Sequence, residues 1–121
     1  MVSEPKYQMK TIKNLLIPMR DGVKLAGDLH LPEADGPFPA LLSFYPYHKD
    51  DLIFFGYMED SIRYFVEQGY AHMLVDFRGL GGSESFNKEP FDPQENQDGH
   101  DVVEWMSAQS WCNGNVGVWG L

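Results

Sequence analysis

Three short stretches hold the residues best suited to chemistry. The first is Asn113-Gly114-Asn115-Val116-Gly117-Val118-Trp119-Gly120-Leu121, an apolar run closing on Gly-x. A strand ending in Gly-x opens the G-x-S-x-G pattern, the sharp strand-to-helix turn that lifts a nucleophilic serine above an α/β-hydrolase sheet. Read alone, Gly120-Leu121 is equally a strand end with a glycine for backbone freedom. The second stretch is Tyr45-Pro46-Tyr47-His48-Lys49. By itself Tyr47 is an ordinary loop aromatic, and His48 beside Asp50 and Asp51 lacks the three or four convergent ligands that zinc needs, so no metal site is expected. The third is Asp76-Phe77-Arg78-Gly79-Leu80-Gly81-Gly82-Ser83-Glu84. It fails as a dinucleotide-binding G-x-G-x-x-G because Glu84 stands at the last glycine position. Its expected role is architectural: the glycines let the backbone turn closely, and Arg78 pairs with an acidic side chain such as Asp76 or Asp101. Ser83 and Ser85 follow no nucleophile turn and are assigned to capping or turn hydrogen bonds. His30 and His72 fall in strands, where packing or edge exposure accounts for them, and His100 falls in the first turn of a helix.

The elements that must position these stretches follow from periodicity. Lys10–Pro18 and Val23–Leu31 flank Arg20-Asp21-Gly22 as an antiparallel hairpin, with Val23, Leu25, Gly27, Leu29 and Leu31 alternating with polar residues. Residues 32–39, with three prolines and an Asp-Gly pair, form a loop. Ala40–Tyr45 and Tyr70–Val75, the latter with Asp76 at its end, are near-continuously apolar and read as central strands covered on both faces. Between them Ile62, Phe65 and Val66 mark a helix, with Asp60 as its N-cap and Gly69 as its left-handed C-cap. A second helix runs from about Gln97 to Gln109, with Val102, Val103, Trp105 and Met106 on its apolar face and Asp98 and Asp101 near its N-terminus. The Asn113-Gly114 turn leads to a last strand ending at Trp119. Strands alternating with helices build parallel βαβ units, so the class is α/β, in one unit covering 1–121.

Composition narrows the function. The 121 residues are 43% hydrophobic and 14% aromatic, enough to pack a core. A formal net charge of −9 with nine scattered basic residues argues against a nucleic-acid partner, and none is expected. No apolar stretch approaches the roughly 20 residues of a membrane span and the N-terminus lacks a signal peptide, so a cytoplasmic protein is expected. The single cysteine, Cys112, excludes an internal disulfide and reads as a small residue in a turn.

Several motifs in fixed order carry a resemblance. Pro18-Met19-Arg20-Asp21-Gly22-Val23-Lys24-Leu25, Tyr45-Pro46-Tyr47, Gly69-Tyr70-Ala71, the run Asp76 to Glu84, Asp101 with Glu104-Trp105, and Trp111-Cys112-Asn113-Gly114-Asn115-Val116-Gly117 with Gly120 resemble the N-terminal part of the catalytic domain of the cocaine-esterase and X-prolyl dipeptidyl-peptidase family of serine hydrolases. The resemblance implies the N-terminal half of an α/β-hydrolase fold, in which an antiparallel hairpin leads into a mostly parallel sheet with flanking helices. It implies that Tyr47 donates its phenol to the oxyanion hole, that Gly120 and Leu121 enter the nucleophile elbow, and that the serine is due immediately after Leu121, with the triad acid and histidine far downstream. The implied enzyme cleaves esters, amides or X-Pro peptide bonds through an acyl-enzyme and needs no cofactor. These 121 residues alone are then expected to be inactive, and to self-associate through an exposed sheet edge. The rival expectation is a non-catalytic binding module built on the same half-sheet.

Overall fold

The computed structural model describes residues 6–45, 52–76 and 93–119. Five strands and two helices follow one another as β1 (Met9–Pro18), β2 (Lys24–Pro32), β3 (Phe38–Tyr45), α1 (Leu52–Glu67), β4 (Ala71–Asp76), α2 (Pro93–Ser107) and β5 (Cys112–Val118). The strands form one mixed sheet in the order β1-β2-β4-β3-β5. β3, β4 and β5 run parallel, and the β1–β2 hairpin joins antiparallel through β2 against β4.

The hairpin forms where expected. Its turn closes by Met19 N–H donating to Val23 O at 2.8 Å and Gly22 N–H to Met19 O at 2.9 Å, with Gly22 at φ +88°, a left-handed conformation suited to glycine. β1 carries a register shift between Ile12 and Leu15; there Asn14 has φ 59°, and its amide donates to Asp28 Oδ1 at 3.0 Å. Such a bulge needs a residue that tolerates positive φ, and asparagine is one.

β3 starts two residues before the expected Ala40 and takes in Pro39, a residue with no N–H for a ladder. The β3–β5 pairing shifts register just there, between Phe38 and Ala40: Phe38 stands opposite Cys112 and Ala40 opposite Val116. The extra residues on the other side are Asn113-Gly114-Asn115, with Gly114 at φ +95°. The expected Asn-Gly turn is therefore a bulge inside β5, placed where proline cannot pair.

The connections β3-α1-β4 and β4-α2-β5 move in opposite directions across the sheet, so right-handed crossovers put the helices on opposite faces. Side-chain alternation agrees. Leu25, Leu29, Ala40, Leu42, Ala71, Met73 and Val75 cluster with Val102 and Met106 of α2, whereas Leu74 packs with Ile62 and Val66 of α1. Gly27 lies on the α2 face, where a Cβ would stand 2.7 Å from Met73 Cε and 3.2 Å from Val75 Cγ2. Gly27→Val should accordingly overpack the larger core and destabilise by about 1–3 kcal/mol. A urea-unfolding midpoint that does not move would contradict this.

Both helices are longer than periodicity indicates. α1 begins at Leu52, so Asp60 lies in its interior, exposed, and is not its N-cap. The stretch Leu52-Ile53-Phe54-Phe55-Gly56 is apolar without a helical stripe, which hides the true start. Its end is as expected: Gly69 has φ +103°, Gly69 N–H donates to Val66 O, and Tyr70 N–H donates to Phe65 O, both at 3.0 Å. α2 begins at Pro93 rather than Gln97, and proline suits a first helical position, where no N–H is required. Among the described residues no helix is long and apolar enough to cross a membrane.

Candidate functional site

In an open parallel sheet, ligands collect beyond the carboxyl ends of the strands, near the point where successive crossovers part to opposite faces. Here that point lies between β3, whose chain continues to α1, and β4, whose chain continues to α2. Tyr45 and Asp76 end these two strands as register partners, and Asp76 is fully buried. On the other side of β3, β5 extends one pairing beyond its last residue, with Trp119 N–H donating to Leu42 O at 3.0 Å. The ends of the three parallel strands are thus neighbours. The residues directly following each of them are the three stretches singled out for chemistry. Tyr47, Arg78, Gly79, Gly120 and Leu121 themselves lie outside the described residues.

Asp101 is described, and its partner is an arginine of the hairpin turn. Arg20 Nε donates to Asp101 Oδ1 at 3.0 Å and Oδ2 at 3.1 Å, Arg20 Nη2 donates to Oδ1, and the Arg20 amide donates to Oδ2 at 3.1 Å. The hydrogen bonds from Arg20 hold the Asp101 carboxyl below its ordinary range; those to Asp101, with the nearby charges of Glu104 and Asp98, raise the guanidinium. Because the start of β2 lies beside the end of β4, this pair ties the hairpin turn to α2 at the end of the sheet where the three strands terminate. Eighty-one positions separate the two residues, so spacing gave no hint of the contact. The only signal was that both fall in motifs of the family resemblance. In Asp101→Asn the fork loses its charge complement, and hydrogen exchange at the Arg20 amide is expected to accelerate while β4 amides stay protected. Equal exchange in both proteins would show that the pair does not hold the turn.

The α1 face of the sheet carries a polar row. Thr11, His30 and His72 stand opposite one another on β1, β2 and β4. Thr11 Oγ1 and His30 Nδ1 are 3.0 Å apart, and Ser43 Oγ on β3 and His72 Nε2 are 3.2 Å apart. Both imidazoles are buried, so packing rather than edge exposure accounts for them. Burial disfavours their charged forms. His30 is lowered to about 4, with Lys13 and Arg63 adding to the shift and Asp28 opposing it, and His72 is lowered to about 3, with His30 adding. These histidines are neutral structural groups over the physiological range. Among the described residues no group of three or more His, Cys, Asp or Glu is placed to hold a metal ion. Cys112 is buried, with its sulfur 3.4 Å from the donating amide of Gly114.

Comparison with known proteins agrees with this frame. Residues 21–121 match the family described as X-Pro dipeptidyl-peptidase (S15 family). The chain is 43% identical over 108 residues to the cocaine esterase of Rhodococcus sp. (strain MB1 Bresler), covering 89% of this chain and 18% of that protein. Among solved structures, a CocE/NonD family hydrolase from Staphylococcus aureus superposes with a TM-score of 0.76 at 28% identity, over 91% of this chain and 22% of that one. An α-amino acid ester hydrolase superposes with a TM-score of 0.72 at 30% identity, over 99% of this chain and 22% of that one. The chain therefore spans about a fifth of the length of these relatives.

Proposed function

The chain belongs to the X-Pro dipeptidyl-peptidase (S15) family, and we propose that it supplies the N-terminal part of the catalytic domain of a serine hydrolase that cleaves ester or amide bonds, X-Pro peptide bonds among them, through an acyl-enzyme. The observation that carries this reading is the adjacency of three parallel strand ends, with Pro46-Tyr47 following β3 and Gly120-Leu121 following Trp119 beside it.

In this reading the residue after Leu121 is the nucleophilic serine. Its Oγ attacks the substrate carbonyl while a downstream histidine takes the hydroxyl proton, and the carbonyl oxygen becomes an alkoxide. Two donors stabilise that charge: the backbone N–H after the serine, which the elbow aims upward, and the Tyr47 phenol. A phenol with an ordinary pKa of about 10 remains protonated at neutral pH and can donate to the developing oxyanion. The leaving alcohol or amine departs with the proton returned by the histidine, and water then hydrolyses the acyl-enzyme by the same route. Asp76, which ends β4, and the Arg78 and Gly79 that follow it in sequence are assigned as framework, and Asp101 anchors the hairpin turn.

A fluorophosphonate probe tests the proposal, because it phosphonylates only an activated serine. The protein extended through its family-length catalytic domain should label, and the chain ending at Leu121 should not. Labelling of the 121-residue chain, or an extended protein that is folded yet inert, would overturn the assignment.

A further inference from the structure

Three buried side-chain polar atoms among the described residues have no hydrogen-bond partner: His30 Nε2, His72 Nδ1 and Trp119 Nε1. They are not scattered. The His30 and His72 rings lie 6.0 Å apart between centroids, and the His72 and Trp119 rings 5.5 Å apart, so the three rings that carry these nitrogens form one cluster on the α1 face of the sheet. Buried polar groups are ordinarily satisfied, and leaving even one unpaired carries a desolvation penalty; three orphans in a single place point to a shared partner.

We propose that His30, His72 and Trp119 ring an internal binding site for ordered water, lodged between the sheet and α1.

The chemistry of the three atoms selects the occupant. An indole N–H can only donate, so whatever meets Trp119 must offer a lone pair, which excludes a metal cation bound by all three. The two imidazoles are neutral, and each already uses its other nitrogen, His30 toward Thr11 and His72 toward Ser43. Each free nitrogen is thus a donor or an acceptor according to tautomer, and a partner that both donates and accepts satisfies either case. Lys13, Asp28 and Arg63 face His30 from β1, β2 and α1, while His72 is faced by His30, Ser43 and Trp119. The same burial that keeps the imidazoles uncharged disfavours an ion beside His72. Water meets every requirement, and about three hydrogen bonds to otherwise unsatisfied groups is the usual state of a buried water. Access is present on one side. A cleft of about 200 Å³ between β1, β2 and α1, lined by Thr11, Lys13, Asp28, His30 and Arg63 among others, reaches His30.

The site would join three elements that the backbone ladder connects only in series. Trp119 is the last described residue before Gly120, and its ring also packs edge-on against Phe65 of α1 at 5.6 Å. Water held between its indole and His72 links the β5 end directly to β4, and through His30 to β2.

The test is a crystal structure of the full-length protein at a resolution that shows ordered water, paired with water-to-protein cross-relaxation at the Trp119 indole proton. We expect density at about 2.7–3.2 Å from at least two of the three nitrogens, and an indole cross-peak of the sign given by a long-lived water. A dry cluster, rings turned so that these nitrogens bond protein groups, or an indole proton with no such cross-peak would overturn the proposal. None of these readouts depends on catalysis, so the water site and the hydrolase assignment fail separately.

Discussion

Replacing Tyr47 by phenylalanine in the full-length protein is expected, on the proposed mechanism, to lower kcat by about 10²- to 10³-fold with little change in KM, the signature of a donor that matters only once charge has developed. The reasoning is differential. In the ground state the substrate carbonyl is a modest acceptor, so the phenol adds little to binding. In the proposed tetrahedral state the same oxygen is an alkoxide, and removing one preorganised donor to it raises the barrier by about 2.7–4 kcal/mol. Phenylalanine keeps the ring and removes only the hydroxyl. Steady-state kinetics on an ester substrate reads the outcome. A kcat close to that of the parent protein, or a loss confined to KM, would remove Tyr47 from the oxyanion hole, and the role would have to pass to backbone amides alone.

The second large effect is loss of stability in acid that begins well above the pH at which ordinary carboxylates titrate. His30 and His72 stay neutral in the folded protein until about pH 4 and about pH 3, whereas in the unfolded chain both take up protons near the ordinary histidine value of 6.5. Over that interval the unfolded state binds more protons, so stability is whole at neutral pH and falls as the pH drops below about 6.5. Each histidine contributes a slope of up to about 1.4 kcal/mol per pH unit. Between pH 6 and pH 4 the pair therefore removes up to about 5 kcal/mol, comparable with the lower end of the roughly 5–15 kcal/mol by which ordinary domains are stable. The Arg20–Asp101 pair acts in the same direction in a lower window. A depressed carboxyl gives stability that is present above its unfolded value of 3.8 and lost below it. Urea unfolding of the full-length protein at pH 7, 6, 5 and 4 would show the slope. In His72→Phe it should fall to about half, as expected when one of two titrating groups is removed. An unchanged slope in that variant would mean that acid acts through other groups.

Most of the architecture was legible because hydrophobic periodicity and turn residues agree: the hairpin around Arg20-Asp21-Gly22 and the Gly69 cap stand where they were expected, and the strands expected over 40–45 and 70–75 form as Phe38–Tyr45 and Ala71–Asp76. The departures have local causes. Asn113-Gly114 carries every mark of a turn, and only the neighbouring strand, with Pro39 opposite, turns it into a bulge. Helix starts were missed where apolar residues without a stripe, or a Pro-led polar stretch, conceal the first turns. The site divides in the same way. Motifs point to the strand ends, and the topology brings those ends together. The Arg20–Asp101 contact and the pairing of His30 with His72 are tertiary facts, joining residues 81 and 42 positions apart by no rule of spacing.

The strand order has a consequence for how the polypeptide is made. β2 and β3 are consecutive in the chain, yet β4 lies between them in the sheet. A nascent chain leaving the ribosome can close its hairpin once Pro32 has emerged, but β3 then has no native neighbour until Ala71–Asp76 follow and slide into the gap. During that interval the edges of β2 and β3 are both exposed and close together along the chain. Any direct pairing between them must be undone before β4 can enter, so the strand order builds a competing, non-native pairing into the synthesis of this segment.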